Sequence, residues 1–74
     1  MTSRTCLALF HTTHAVIKAE RLLQTSGLAV RAVSVPRRFT SECGIGLRFS
    51  NDMREGVVSL LHEHDIPVAG VYDE

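Results

Sequence analysis

The spacing of apolar residues along the chain predicts six secondary-structure elements. A continuous apolar run is typical of a buried strand, alternation is typical of a half-buried strand, and apolar residues three or four positions apart are typical of a helix. These patterns predict strands at 5–10, 28–35, 44–49 and 68–72, and helices at 15–26 and from Ser50 or Asn51 to 64.

Residues with strong backbone preferences mark the ends of these elements. A threonine before Ala15 can cap the first helix, and Gly27 suits the position after its last turn. Pro36 closes the second strand because proline has no N–H for the ladder. The second helix is expected to end before Asp65, because the residue that precedes Pro67 avoids the α region.

The element order β-α-β-β-α-β predicts a ferredoxin-like α+β sandwich. Such a fold has a four-stranded antiparallel sheet in the order 4-1-3-2, with both helices on one face. The 74 residues suffice for a single domain spanning 1–74. A domain of this size buries only about 60% of its unfolded surface, so we expect it to be marginal alone or to form a homodimer.

Composition and charge exclude several classes of function. Eight basic residues balance eight acidic ones, which argues against a general nucleic-acid or membrane-surface binder. The longest apolar stretch, residues 6–10, is too short to span a bilayer, and the first residues lack the pattern of a signal peptide. We therefore expect a cytoplasmic protein that binds neither nucleic acid nor a membrane.

The predicted topology brings many reactive side chains to one end of the sheet. The first and third strands are expected to be antiparallel neighbours, so the end of the first lies beside the start of the third. Candidate residues at this end are Cys43, Gly44, Arg37, Arg38, Ser41, Thr13 and the four histidines His11, His14, His62 and His64. Cys6 belongs at the opposite end, too far from Cys43 for a disulfide.

Two interpretations of Cys43 remain open on residue types alone. A thiolate would be favoured by the amino end of the first helix, by Arg37 and Arg38, and by a protonated histidine. Gly44 would let a partner approach the sulfur, and the hydroxyls of Thr40 and Ser41 could donate to it. Alternatively Cys43, like Cys6, is a small buried apolar residue at a strand.

Two segments, 11–23 and 35–49, favour the first of these interpretations by resemblance. Thr-Thr-His-Ala followed by Lys-Ala-Glu, and Pro-Arg followed by Ser-Glu-Cys-Gly, resemble the selenium/sulfur (Se/S) carrier protein-like family of small bacterial domains. The resemblance implies that Cys43 carries sulfur or selenium, with Gly44, Arg37 and His14 at matching positions. Ser34 and Arg38 depart from the family pattern, although neither adjoins the cysteine.

The resemblance implies a carrier rather than an enzyme, with no cofactor. Its expected partners are a cysteine desulfurase, or another sulfur or selenium donor, and an acceptor protein. Two alternatives use the same Cys/His end: a metal site joining Cys43 to His11, His14 or His62, and a regulatory interaction domain that dimerises through the uncovered sheet face. An RNA-recognition module shares the topology, but the third strand lacks the stacking aromatics.

Overall fold

The computed structural model describes residues 4–39 and 42–74 and confirms the predicted ferredoxin-like α+β topology. The strands are β1 (Thr5–Leu9), β2 (Val30–Ser34), β3 (Ile45–Ser50) and β4 (Gly70–Asp73). The helices are α1 (Thr13–Thr25) and α2 (Arg54–Glu63), the second preceded by a 3-10 turn at Asn51–Met53. The strands form one antiparallel sheet in the order β2-β3-β1-β4, so β1 and β3 are neighbours as expected.

The start of α1 lies two residues before its predicted position. Thr12 adopts an extended backbone and its hydroxyl accepts the N–H of Ala15 at 3.1 Å, so the helix begins at Thr13. The apolar pattern could not mark this first turn because Thr13 and His14 are both polar and exposed.

Both helices end in a Schellman motif, in which two backbone N–H groups return to the last turn. After α1, Gly27 donates to Gln24 and Leu28 donates to Leu23, with Gly27 at φ 87° as predicted. After α2 the same pair of bonds surrounds Asp65, which is left-handed at φ 54°. The motif after α1 uses Leu28, which was expected to start β2. β2 instead begins at Val30, and β4 begins at Gly70 rather than at Val68.

The main core lies between the sheet and the two helices. Its buried members are Cys6, Ala8, Phe10, Val16, Ala19, Leu23, Val30, Leu47, Phe49, Val57, Leu61 and Ile66. Alternate residues of β1 point into it, because successive side chains of a strand face opposite sides of the sheet. No helix in the described part of the chain is long and apolar enough to cross a membrane.

The helix-free face of the sheet is covered by the chain itself. Leu7 and Leu9 of β1 point to this face, yet they are only 0% and 3% exposed. The ring of Tyr72, opposite Leu7, contacts the ring of Phe39 from the β2–β3 loop, with centroids 5.3 Å apart. The expectation of an uncovered face is therefore wrong at these leucines, whereas the homodimer stays a prediction.

Gly46 of β3 allows the leucines to pack closely on this face. A Cβ at Gly46 would lie 2.8 Å from the carbonyl oxygen of Ala8, and 3.2 and 3.3 Å from the side chains of Leu7 and Leu9. Contacts below 3.0 Å with a backbone atom cannot be relieved by turning a side chain. The glycine is therefore required by the approach of β1 to β3.

Candidate functional site at Cys43

Cys43 lies where the β2–β3 loop enters β3, and its side chain is half-buried against the core. Its Sγ is 3.6 Å from the carbonyl oxygen of Phe10, at the end of β1, and 3.3 Å from that of Ile45. We call the group Phe10, His11, Glu42, Cys43 and Gly44 the Cys43 rim. The antiparallel pairing of β1 and β3 brings these two segments together.

The Cys43 thiol has two carbonyl oxygens to which it can donate. A thiol S–H can donate to either oxygen, whereas a thiolate has no proton to donate and would face two acceptors. Because the thiolate is the nucleophile, the side chain must leave these acceptors when it reacts. Phe10 was not a predicted site residue, since its contribution is a main-chain oxygen that residue type does not reveal.

Gly44 has two properties that bear on access to the sulfur. Its φ of 75° is in the left-handed region, where a side chain would strain the backbone. A Cβ at this position would have no atom within 4 Å other than those of Gly44 and its two chain neighbours, so the space beside Gly44 is open. The backbone carbonyl of Gly44 accepts the N–H of Val35 at 3.0 Å, which ties the two ends of the β2–β3 loop together.

A side-chain contact between His11 and Glu42 confirms that the end of β1 meets the segment before Cys43. His11 Nδ1 lies 2.7 Å from Glu42 Oε1, and both side chains are exposed. Glu42 was not among the predicted site residues. The predicted adjacency of the two segments was the signal that could have identified it, because a carboxylate and an imidazole would meet there.

The two arginines of the loop have surroundings different from those expected. Both are exposed, and within the described residues no hydrogen bond or ion pair joins either one to Cys43. The guanidinium carbon of Arg38 lies 5.0 Å from the ring centroid of Phe39. The contact directs Arg38 to the helix-free face. A role for Arg37 or Arg38 at the thiol stays a prediction.

The histidines do not gather at one site. Only His11 belongs to the Cys43 rim. His14 and His64 line a groove between α1 and the turn after α2, while His62 lines a separate depression with Asp65. Thr13 is exposed in the first turn of α1. The hydroxyls of Thr40 and Ser41, predicted to donate to the sulfur, lie outside the described residues.

Cys6 is a core residue, as its apolar neighbours predicted. It is fully buried, and its Sγ lies 3.1 Å from Asn51 Oδ1 and 3.5 Å from Asp73 Oδ1. Burial raises the pKa of the Cys6 thiol most strongly. The hydrogen bond to Asp73 and the negative charge of that side chain raise the pKa further. Both cysteines are free, which agrees with the predicted absence of a disulfide.

The described part of the chain contains no cluster of side chains suited to bind a metal ion. There, no group of three or more His, Cys, Asp or Glu side chains is placed to hold a metal ion. The thiolate–imidazole alternative therefore has no supporting geometry among these residues.

Comparison with known proteins identifies the family. The model of the family described as "Putative Se/S carrier protein-like" matches residues 5–73. The chain belongs to this family. The match spans every strand and helix, and it contains both Cys43 and Cys6. Neither the curated proteins nor the solved structures returned a match.

Proposed function

We propose that this Se/S carrier-like protein holds sulfur or selenium on Cys43 as a persulfide or selenopersulfide and passes it to a second protein. The observation that supports this proposal is the contrast between the two thiols of a chain from this family. Cys6 is fully buried and its sulfur is hydrogen-bonded to Asn51 and Asp73, whereas Cys43 is half-buried next to the open space at Gly44. Only Cys43 is accessible to another protein without unfolding.

The transfer is a redox-neutral exchange between two thiols. The donor is a protein persulfide, R–S–S–H. Cys43 loses its proton, its sulfur attacks the outer sulfur of the donor, and the donor's S–S bond breaks. The departing thiolate takes up the proton, so Cys43–SH and R–S–SH become Cys43–S–SH and R–SH. With R–S–SeH as the donor, the same exchange yields Cys43–S–SeH.

The surroundings of Cys43 suit a thiol that is protected until a partner binds. In the free protein its proton can be held by the carbonyl of Phe10 or Ile45. After loading, Sγ carries no proton and cannot donate to either oxygen. The outer atom is then best placed in the open space beside Gly44, where an acceptor thiol can reach it.

The proposed partners follow from this exchange. A cysteine desulfurase fits the donor, because it forms a persulfide on its own cysteine, and the acceptor is a second protein with a nucleophilic thiol. In this role the protein is a stoichiometric carrier, since it takes up one cargo atom and releases the same atom. We do not assign it a catalytic reaction on a small substrate.

Intact-protein mass spectrometry tests the proposal. The protein is incubated with a desulfurase and cysteine without reductant, or with selenocysteine and its lyase. We expect the added mass of one sulfur or selenium atom, removed again by dithiothreitol. Cys43→Ser should abolish the addition, whereas the matched control Cys6→Ser should retain it once its folding is verified. Equal loading of wild type and Cys43→Ser would contradict the proposal, and so would failure of wild type to load from several donors.

A further inference from the structure

A groove on the helical side of the molecule combines apolar and cationic side chains. It lies between α1 and the turn after α2 and has a volume of about 570 Å³. Its apolar part is formed by Ile17, Leu22 and Ile66, and Ile17 is 53% exposed. Exposure of a large aliphatic side chain to this extent on a helix leaves apolar surface that a partner could bury.

The ionisable side chains that line the groove all belong to lysine, arginine or histidine. Lys18 and Arg21 line it with His14 and His64, and none of its lining residues is acidic. Neither Lys18 nor Arg21 forms an ion pair with another described residue. In contrast, Arg48 and Arg54 are each paired with a carboxylate. In a chain of zero formal net charge, this groove is thus a local positive patch with unpaired cations.

We propose that this groove binds an acidic amphipathic segment of a partner protein, most simply a helix with Asp or Glu flanking two or three apolar residues. The apolar residues would cover Ile17 and Leu22, while the carboxylates would pair with Lys18 and Arg21. Helix-in-groove recognition of this kind uses anchors at i, i+3 or i+4 and i+7. Complementary charge would orient the segment and accelerate its association.

The shape of the groove favours a protein segment over a small molecule. Small-molecule sites enclose most of the ligand's surface. Here Ile17, Lys18, Arg21 and His64 are all exposed, and only Ile66 is fully buried. Such open walls can support one face of a helix but cannot surround a compact ligand.

The groove continues toward the Cys43 rim. A neighbouring depression shares His14, Lys18 and Ile66 with it and extends to Thr12, the cap of α1. Thr12 is two residues from Phe10, whose carbonyl oxygen contacts the Cys43 sulfur. A protein docked through the groove would therefore be adjacent to the rim, although the docking itself does not depend on the proposed sulfur transfer.

A titration followed by NMR tests the docking independently of Cys43. The ¹⁵N-labelled Cys43→Ser chain is titrated with a synthetic helical peptide that has leucines along one face and glutamates on the other. A peptide with lysine in place of every glutamate is the matched control. We expect amide shifts centred on 17–22 and 64–66 for the acidic peptide only, and loss of binding at about 1 M salt, where the Debye length is about 3 Å.

Matched substitutions separate specific docking from general charge attraction. Arg21→Glu should weaken binding of the acidic peptide at least about fivefold more than Arg31→Glu, an equal change of charge on exposed β2. Ile17→Ser should weaken it more than Val58→Ser, a change at another exposed aliphatic residue. Arg21→Gln serves as the milder variant if circular dichroism shows that Arg21→Glu has lost its fold.

Three results would overturn the docking proposal. The lysine peptide could bind equally well, the shifts could map to another surface, or Arg21→Glu and Arg31→Glu could weaken binding equally. Occupation of the groove by decanoate, with no shifts from the acidic peptide, would also reject a protein segment in favour of a small amphiphile. Because Cys43 is absent from the tested chain, each of these results leaves the sulfur-transfer proposal unaffected.

Discussion

The two cysteines should differ greatly in their rates of alkylation in the native protein. Cys6 lies in β1, which is flanked by β3 and β4, and its side chain is fully buried. A reagent can reach it only when the central strand separates. Cys43 is half-buried at the start of β3, so a rotation of its side chain away from two carbonyl oxygens suffices to expose the sulfur.

The size of this difference follows from the free energies of the two openings. At about 0.05 kcal/mol per residue, the lower end for natural domains, a chain of this length has an unfolding free energy of about 4 kcal/mol. Global opening then exposes Cys6 in about one molecule in 10³, because each 1.4 kcal/mol is a factor of ten. Breaking a thiol–carbonyl contact costs about 1 kcal/mol, which slows Cys43 by roughly fivefold. The predicted ratio of rates is therefore at least about 10².

Iodoacetamide labelling read by peptide mass spectrometry measures this ratio. Any reaction of Cys6 without opening would be slower still, because burial and Asp73 raise the pKa of its thiol in the folded state and the thiolate is the reactive form. The unfolded control is the same labelling in about 6 M guanidinium chloride. Both cysteines are exposed in the unfolded chain, so their two alkylation rates should converge. A native ratio below about ten would refute this account of the two thiols and remove the main support for Cys43 as the accessible carrier.

Three further predictions concern stability. Gly46→Ala should lower the free energy of unfolding by about 1–3 kcal/mol, because its Cβ would meet the Ala8 carbonyl oxygen at 2.8 Å, and an unchanged urea midpoint would contradict the packing. Asp65→Gly should raise it by about 0.5–1 kcal/mol by relieving a left-handed residue at φ 54°, and a lower melting temperature would count against this. The hydrogen bond from Arg48 lowers the pKa of Glu74, so this pair stabilises the fold above pH about 4.5 and loses its contribution as pH falls through the lowered pKa. Glu74→Gln should therefore cost up to about 1 kcal/mol at pH 7 and less at pH 3, in urea titrations at both pH values; an equal cost at both would oppose the assignment.

Much of the fold could be predicted because its signals are local. The periods of the apolar residues identified all six elements, and Gly27 identified the end of α1. The strand order followed from the element order by general rules of topology. The predicted start of β2 was early because Leu28 instead completes the Schellman motif after α1, and β4 begins two residues later than its apolar pattern indicated.

The site was harder to predict because it depends on contacts between distant segments. The adjacency of β1 and β3 correctly placed His11 near the segment before Cys43. By contrast, no local pattern indicates that the loop folds over the helix-free face, with Phe39 against Tyr72. The sequence prediction placed the positive charge of the loop arginines near the Cys43 thiol. In the structure, the guanidinium group of Arg38 lies over the ring of Phe39.

The separation between Glu74 and Cys43 has a practical consequence for handling the molecule. Thr5 and Glu74 are joined by a backbone hydrogen bond of 3.0 Å, at the opposite end of β1 from the carbonyl that contacts the sulfur. The five residues of β1 separate the two ends of this strand by about 17 Å. A dye, surface linker or fused reporter attached after Glu74 is thus remote from the thiol. Immobilised protein should present Cys43 to a soluble donor without obstruction by its own tether.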